Sequence, residues 1–179
     1  MPMRRLMLHR IGKIALIAAS GRPLSMPVFA QPSGQEPMAG PVWRLGDLVE
    51  FPPLKRIDGS EISWPSYRGK VLIIVFWASW CPFCAQQNPL LDRFYRTHQS
   101  RGLAMVSLSV DKTAELAQQY IAKHGYRFEV AHAPPRWQAI FRQRKGLPQL
   151  FLFDRAGVLR QIELREMLED DVDALSRYL

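Results

Sequence analysis

The stretch Val71-Leu72-Ile73-Ile74-Val75-Phe76-Trp77-Ala78-Ser79-Trp80-Cys81-Pro82-Phe83-Cys84 constrains the fold of this chain more than any other. Its first half is an unbroken apolar run rich in β-branched residues, which reads as a strand buried on both faces. The run ends where a helix carrying the chain's only two cysteines begins. A dithiol therefore sits at the mouth of a strand-to-helix turn.

The spacing of the two sulfurs suits chemistry better than stability. At i and i+3 on a first helical turn, Cys81 and Cys84 can be joined with little backbone movement. The chain-entropy gain from so short a loop is about 2 kcal/mol, against roughly 3 for fifteen residues, so a structural staple belongs between distant segments. Unpaired N–H groups and the dipole at a helix start stabilise a thiolate there. Cys81 is accordingly the candidate nucleophile. Cys84, one turn further in and more buried, is the candidate resolving thiol that attacks a mixed disulfide formed at Cys81. Pro82 fits the first helical turn, where its missing N–H has no partner to lose.

With 179 residues and 47% hydrophobic content, the chain has room for one domain with a real core and a tail. The formal charge of +8 points to nucleic acid only until the charges are located. Arg4, Arg5, Arg10, Lys13 and Arg22 fall in the first thirty residues, which hold no acid. Setting those five aside reduces 24 basic residues to 19 against 16 acidic ones, a formal +3, and nucleic acid is not an expected partner. Residues 1–30 have a basic start, an apolar stretch from Ile14 to Ala19, and Val28-Phe29-Ala30 before Gln31, the layout of a secretory signal peptide. A membrane anchor needs about 20 apolar residues, which Lys13 and Arg22 interrupt, so an uncleaved anchoring leader is disfavoured. Export to the periplasm is the expectation. In that oxidising compartment the two cysteines are joined to each other or to another protein.

Residues 31–45, with Pro32, Gly34, Pro37, Gly40 and Pro41, lack periodicity and read as a linker before a domain spanning 46–179. Leu48 to Leu54 reads as a short edge strand, with Asp58-Gly59 as the turn and Glu61-Ile62-Ser63-Trp64 as the returning strand of a hairpin. Tyr67-Arg68-Gly69-Lys70 leads into the central strand. After the cysteines a helix runs to about Ser100, kinked at Pro89 and stopped by Gly102. Leu103 to Val110 is a second buried strand. Thr113 caps a helix that presents Leu116, Tyr120 and Ile121 and ends near Gly125. A short strand at 128–130, a helix from Trp137 to Arg142, a strand from Leu150 to Phe153, a turn at Asp154-Arg155-Ala156-Gly157, a returning strand from Val158 to Leu164 and a helix from about Glu166 complete the chain. The order β-α-β-α-β-α-β-β-α implies an α/β fold, a mixed central sheet with helices on both faces.

This order, with Trp77-Ala78-Ser79-Trp80-Cys81-Pro82-Phe83-Cys84 at a strand-to-helix turn and Gly146-Leu147-Pro148 before the last hairpin, resembles the thioredoxin fold with an N-terminal hairpin extension. It is most similar to the exported TlpA-like thiol-disulfide oxidoreductases, which include the cytochrome c maturation thioredoxins. Leu45-Gly46-Asp47, Val110-Asp111 and Leu147-Pro148-Gln149-Leu150-Phe151-Leu152-Phe153-Asp154 extend the likeness over almost all of residues 46–179, the thioredoxin-like domain. The resemblance implies a monomer that exchanges its dithiol with partner protein thiols and disulfides and is served by an upstream electron donor or acceptor such as a membrane thiol-disulfide carrier. It implies no cofactor. It makes Pro148 a cis-proline facing the disulfide, which leaves the backbone of Leu147 free to pair with an extended substrate segment. Trp77, Trp80, Phe83 and Leu147 would supply apolar contact surface around Cys81, with core packing as the plainer role for Trp77.

Two positions depart from the family pattern. Thioredoxins usually carry a buried acid where this chain has Val75, and TlpA-like proteins often carry a Glu where it has Gln87. Gln87 can hydrogen-bond but is no base near pH 7, so another group or water takes the proton of the resolving thiol. Cys-Pro-Phe-Cys puts no charge or imidazole between the sulfurs, so the helix terminus is the main thiolate stabiliser. A reductase is the preferred direction, and a disulfide-donating oxidase or isomerase the alternative. Metal binding, copper handling included, and a non-catalytic binding module are the readings of another class. Neither is favoured: His9, His98, His124 and His132 lie far from the cysteines in sequence, and a tetrahedral site needs four ligands. A thiol peroxidase of the same fold is disfavoured because Ala78 stands where peroxiredoxins carry Thr. Asp111 and Lys70 could lie near the site, but a loop-end acid and a solvated lysine are the plainer readings.

Overall fold

The computed structural model describes residues 42–179, so the expected leader and most of the expected linker lie outside the described residues. The apolar run forms β1 (Val71–Trp77), with every residue buried. On one side it pairs in parallel with β2 (Leu103–Ser109), from Val71 opposite Leu103 to Trp77 opposite Ser109. On the other it pairs antiparallel with β4 (Gln149–Phe153), Phe76 opposite Gln149. With β3 (Glu129–His132) beside β2 and β5 (Leu159–Glu163) beside β4, the sheet runs β3-β2-β1-β4-β5. A central strand covered on both faces has no polar face to alternate, hence its unbroken apolar sequence.

The two faces hold two clusters. Val71, Ile73, Val75 and Trp77 pack against α1 (Pro82–His98), α2 (Ala114–His124) and α4 (Glu169–Asp173), through Leu91, Phe94, Ala117 and Val172. Leu72, Ile74 and Phe76 pack against α3 (Pro135–Arg142), through Trp137 and Ile140, and against the N-terminal segment. Each fully buried Val, Ile, Leu or Phe contributes about 1.5–3 kcal/mol relative to exposure, so β1 is the energetic centre of both layers.

The N-terminal segment departs from its expected form. Trp43, assigned to the linker, is 2% exposed, with its ring 5.3–5.8 Å from those of Phe51, Trp137, Phe151 and Phe153. The Asp58-Gly59 turn exists, with Gly59 at φ 87°, but the expected hairpin is reduced to a single Lys55–Glu61 bridge. Leu48 bridges Val158, and residues 64–67 form a 3-10 turn where the returning strand was expected to end. Pro52 and Pro53 offer no N–H to a ladder, so burial of aromatic rings, with Trp64 Nε1 donating to the Pro52 carbonyl, holds this segment instead. Arg56 and Tyr67 both bind the Glu129 carboxylate, at 2.6 and 2.8 Å, tying the segment to β3.

Smaller differences lie at element ends. Thr113 takes the N-cap position of α2 without a capping hydrogen bond, and Leu116 is 40% exposed while Ala117 faces the core. α4 starts at Glu169, later than Glu166. α1 continues through Pro89, and Gly102 at φ 89° follows the 3-10 turn that ends it. Among the described residues no helix is long and apolar enough to cross a membrane.

Candidate active site

β1 carries the chain to one end of the sheet, and Ala78, Ser79 and Trp80 turn it into α1. Cys81 takes the N-cap position in extended backbone, φ −86° and ψ 112°, and Pro82 starts the helix. The Sγ of Cys81 accepts the Cys84 N–H at 3.1 Å, the bond a capping oxygen makes at an ordinary helix start. Cys81 and Cys84 are joined as a disulfide, their Cα atoms 5.3 Å apart. A sulfur held on a helix N–H at the positive end of the dipole is one whose anion is stabilised when the disulfide opens.

Burial separates the two sulfurs less than the sequence suggests. Cys84 is 0% exposed and Cys81 only 3%, both within the cluster that holds Val75, Trp77 and Leu150. The cause is local: turning Sγ inward onto the Cys84 N–H points it along the helix start. What stands open is the collar around it, with Trp80 68% and Phe83 53% exposed and Pro82 also exposed. Cys81 is thus nearly covered, while the apolar side chains on either side of it in the chain are open to solvent.

The expected neighbours divide. The Leu147-Pro148 bond is cis. Because Gln149, the first residue of β4, stands opposite Phe76, Pro148 immediately precedes β4 beside the end of β1 from which the cysteine loop departs. Pro148 is buried, and Leu147 is half-buried against both core clusters. The Gln149 amide donates to the carbonyls of Arg144 and Gly146 at 3.2 and 3.0 Å, closing the loop that presents the pair. Trp77, by contrast, supplies no contact surface. It is 0% exposed with its ring 5.1 Å from Tyr120, because it lies on the face of β1 that α1 and α2 cover.

Gln87 is fully buried, and its Oε1 accepts the Met167 N–H at 2.7 Å, tying α1 to the segment leading into α4. Its Nε2, and both polar atoms of the Asn88 side chain, are buried without a protein hydrogen bond. Val75 packs in the same cluster as Cys84 and offers that sulfur no proton acceptor. Lys70 precedes β1 and is separated from the cysteine loop by the length of the strand, about 23 Å at 3.3 Å per residue, so it plays no part at the sulfurs. Its ammonium lies 5.8 Å from the Tyr67 ring centroid.

Asp111 is the residue whose involvement the sequence understates. It is 2% exposed, and its carboxylate accepts the Ser79 N–H at 3.1 Å, the Ser79 hydroxyl at 2.8 Å and the Ser109 hydroxyl at 2.7 Å. Ser79 stands two residues before Cys81. The signal available was the pattern Ser107-Leu108-Ser109-Val110-Asp111, alternating polar residues at the end of a run that is otherwise apolar from Leu103. His132 Nε2 lies 2.8 Å from the Asp111 carbonyl and donates to it, since a carbonyl can only accept. His98 lies against Phe94 and His124 against Tyr120, apart from the cysteines.

The sequence model of the AhpC/TSA family matches residues 49–162, which include both cysteines. Thiol-disulfide oxidoreductase ResA from Geobacillus thermodenitrificans is 23% identical over 170 residues, covering 94% of this chain and 92% of that one. ResA from Oceanobacillus iheyensis is 30% identical over 95 residues, covering 51% of this chain and 50% of that one. Among solved structures, a putative thiol:disulfide interchange protein DsbE from Chlorobium tepidum aligns with TM-score 0.66 and 26% identity over 76% of this chain and 95% of that one.

Proposed function

We propose, starting from a chain that belongs to the AhpC/TSA family and is a thiol-disulfide oxidoreductase of the thioredoxin fold, that it works after export as a reductase of disulfides in partner proteins. The observation that carries the reading is the placement of Cys81 at the helix N-cap, its sulfur on the Cys84 N–H and bonded to Cys84, at the end of the sheet where cis-Pro148 precedes β4. In the reduced protein the Cys81 thiolate attacks one sulfur of a partner disulfide. A bond forms to Cys81, the partner's S–S bond breaks, and the departing partner thiolate takes a proton. Cys84 then loses its proton and attacks Cys81 Sγ, releasing the second partner thiol and closing the disulfide, so two electrons pass from the pair to the partner. An upstream donor, for which a membrane thiol-disulfide carrier is the natural class, restores the dithiol.

The surroundings of the sulfurs support the reducing direction. A pair is strongly oxidising when its reduced form is over-stabilised. Here Pro82 and Phe83 bring no charge or imidazole, and the helix terminus is the main support for the thiolate. The Leu147 backbone pairs with an extended partner segment, and Trp80, Pro82 and Phe83 cover it. The 3% exposure of Cys81 favours partners whose disulfide is carried on such a segment. Export rests on the composition of residues 1–30.

Replacement tests the assignment. Cys81→Ser abolishes reduction of a protein disulfide such as that of insulin, and Cys84→Ser accumulates a mixed disulfide at Cys81. Turnover in Cys81→Ser equal to the parent's overturns the reading.

A further inference from the structure

Among the described residues two carboxylates are buried, and their surroundings differ. Asp92 is paired with Arg96 at 2.6 Å. Asp111 has no salt-bridge partner: its three donors are the backbone N–H and hydroxyl of Ser79 and the hydroxyl of Ser109, all neutral. Buried charges are ordinarily paired, because desolvation of a lone ion is costly. Neutral donors in such number support the anion while leaving its charge uncancelled. That charge stands against the loop carrying Cys81, with Ser79 and Cys81 two residues apart, a span of at most about 7 Å of backbone.

We propose that Asp111 is a positioning residue for the cysteine loop, clamping Ser79, and that its uncancelled negative charge keeps the Cys81–Cys84 pair reducing. Two fields then meet at the Cys81 sulfur. The Cys84 N–H and the helix dipole favour the thiolate, while the Asp111 carboxylate disfavours it. Destabilising the thiolate destabilises the dithiol form relative to the disulfide, which makes the pair a better electron donor. At an effective dielectric near 20, a unit charge within about 10 Å shifts an ionisation roughly tenfold, enough to matter for direction. The other charged or titratable groups on this side are His132, which donates to the Asp111 carbonyl, the exposed Lys112 beside it, and the exposed Glu115 at the start of α2. None of them bonds the Asp111 carboxylate. The consequence for direction rests on the reductase reading, whereas the effect of Asp111 on the sulfur does not.

The test compares the whole chain with Asp111→Asn, Asp111→Ser and Ser79→Ala, by equilibrating each with reduced and oxidised glutathione and by titrating the Cys81 thiolate through its ultraviolet absorbance. Both neutral variants shift the equilibrium constant roughly tenfold toward the dithiol, equivalent to about 30 mV for a two-electron couple, and lower the Cys81 titration by about one pH unit. Ser79→Ala keeps the charge and stays much closer to the parent in both readings. Neutral variants that fold, melt lower and show the parent's equilibrium constant and titration overturn the proposal, since a purely structural carboxylate does only that. Failure of both neutral variants to fold also overturns it, since the carboxylate is then a structural requirement, and so does a Ser79→Ala shift as large as theirs. No partner protein enters these measurements, so a parent that proved to be a disulfide donor contradicts the reductase reading alone.

Discussion

Gln87 is a residue at which one substitution can change the chemistry of the sulfur pair. It sits one turn after Cys84, fully buried, with Oε1 on the Met167 N–H and Nε2 unbonded within the protein. Gln87→Glu keeps an acceptor for Met167 and adds a carboxyl whose burial raises its pKa toward neutrality, where it can take the proton of Cys84. Release of the partner thiol from a trapped mixed disulfide should quicken roughly tenfold or more near pH 7 in stopped-flow measurements, and a rate no higher than the parent's removes Gln87 from the mechanism. Gln87→Leu instead leaves the Met167 N–H buried without an acceptor and should cost about 1–3 kcal/mol in denaturant unfolding. The sulfurs were legible because cysteine spacing is a covalent property of the sequence. Asp111 and Trp77 were less so, because whether an acid or a ring faces solvent or a neighbouring strand depends on which strands pair.

At the scale of elements, the β4–β5 hairpin is held by Asp154, whose carboxylate accepts the N–H groups of Ala156 and Val158 at 2.9 and 3.0 Å and the Arg160 guanidinium at 2.6 Å. Burial pushes its pKa up, but the Arg160 bond and the two backbone donors outweigh that and hold the carboxyl below its usual value. A depressed carboxyl adds stability that is fully present above its unfolded pKa of about 4 and is lost as pH falls through the folded value. Asp154→Ala should therefore cost about 1–3 kcal/mol at pH 7 and progressively less below pH 4, which melting curves across that range will show. The strands and most helices were legible as apolar runs with turn residues between them. The N-terminal segment was not, since Pro-rich composition reads as linker while its stability comes from rings meeting across the sheet. Trp43→Ala should cost about 3–5 kcal/mol, far more than any true linker residue.

Among the described residues the sheet is covered on both faces, and the cysteine pair lies at one of its ends. Residues distant in sequence reach that end by topology: the cysteine turn after β1, Asp111 after β2, and Leu147-Pro148 before β4. That convergence was legible only through the likeness of the element order to a known fold, since no local pattern says that β4 lies beside β1. Trp80, Pro82 and Phe83 stand exposed around the buried pair, and in the proposed reaction the potential of the sulfurs decides which way electrons move. The most direct test is the reduction potential of the Cys81–Cys84 pair in the folded chain, measured by equilibration with glutathione and dithiothreitol. The account predicts a single two-electron couple toward the thioredoxin end of the range, about −270 mV. A value near about −120 mV, where the strong oxidant of this fold lies, would contradict it.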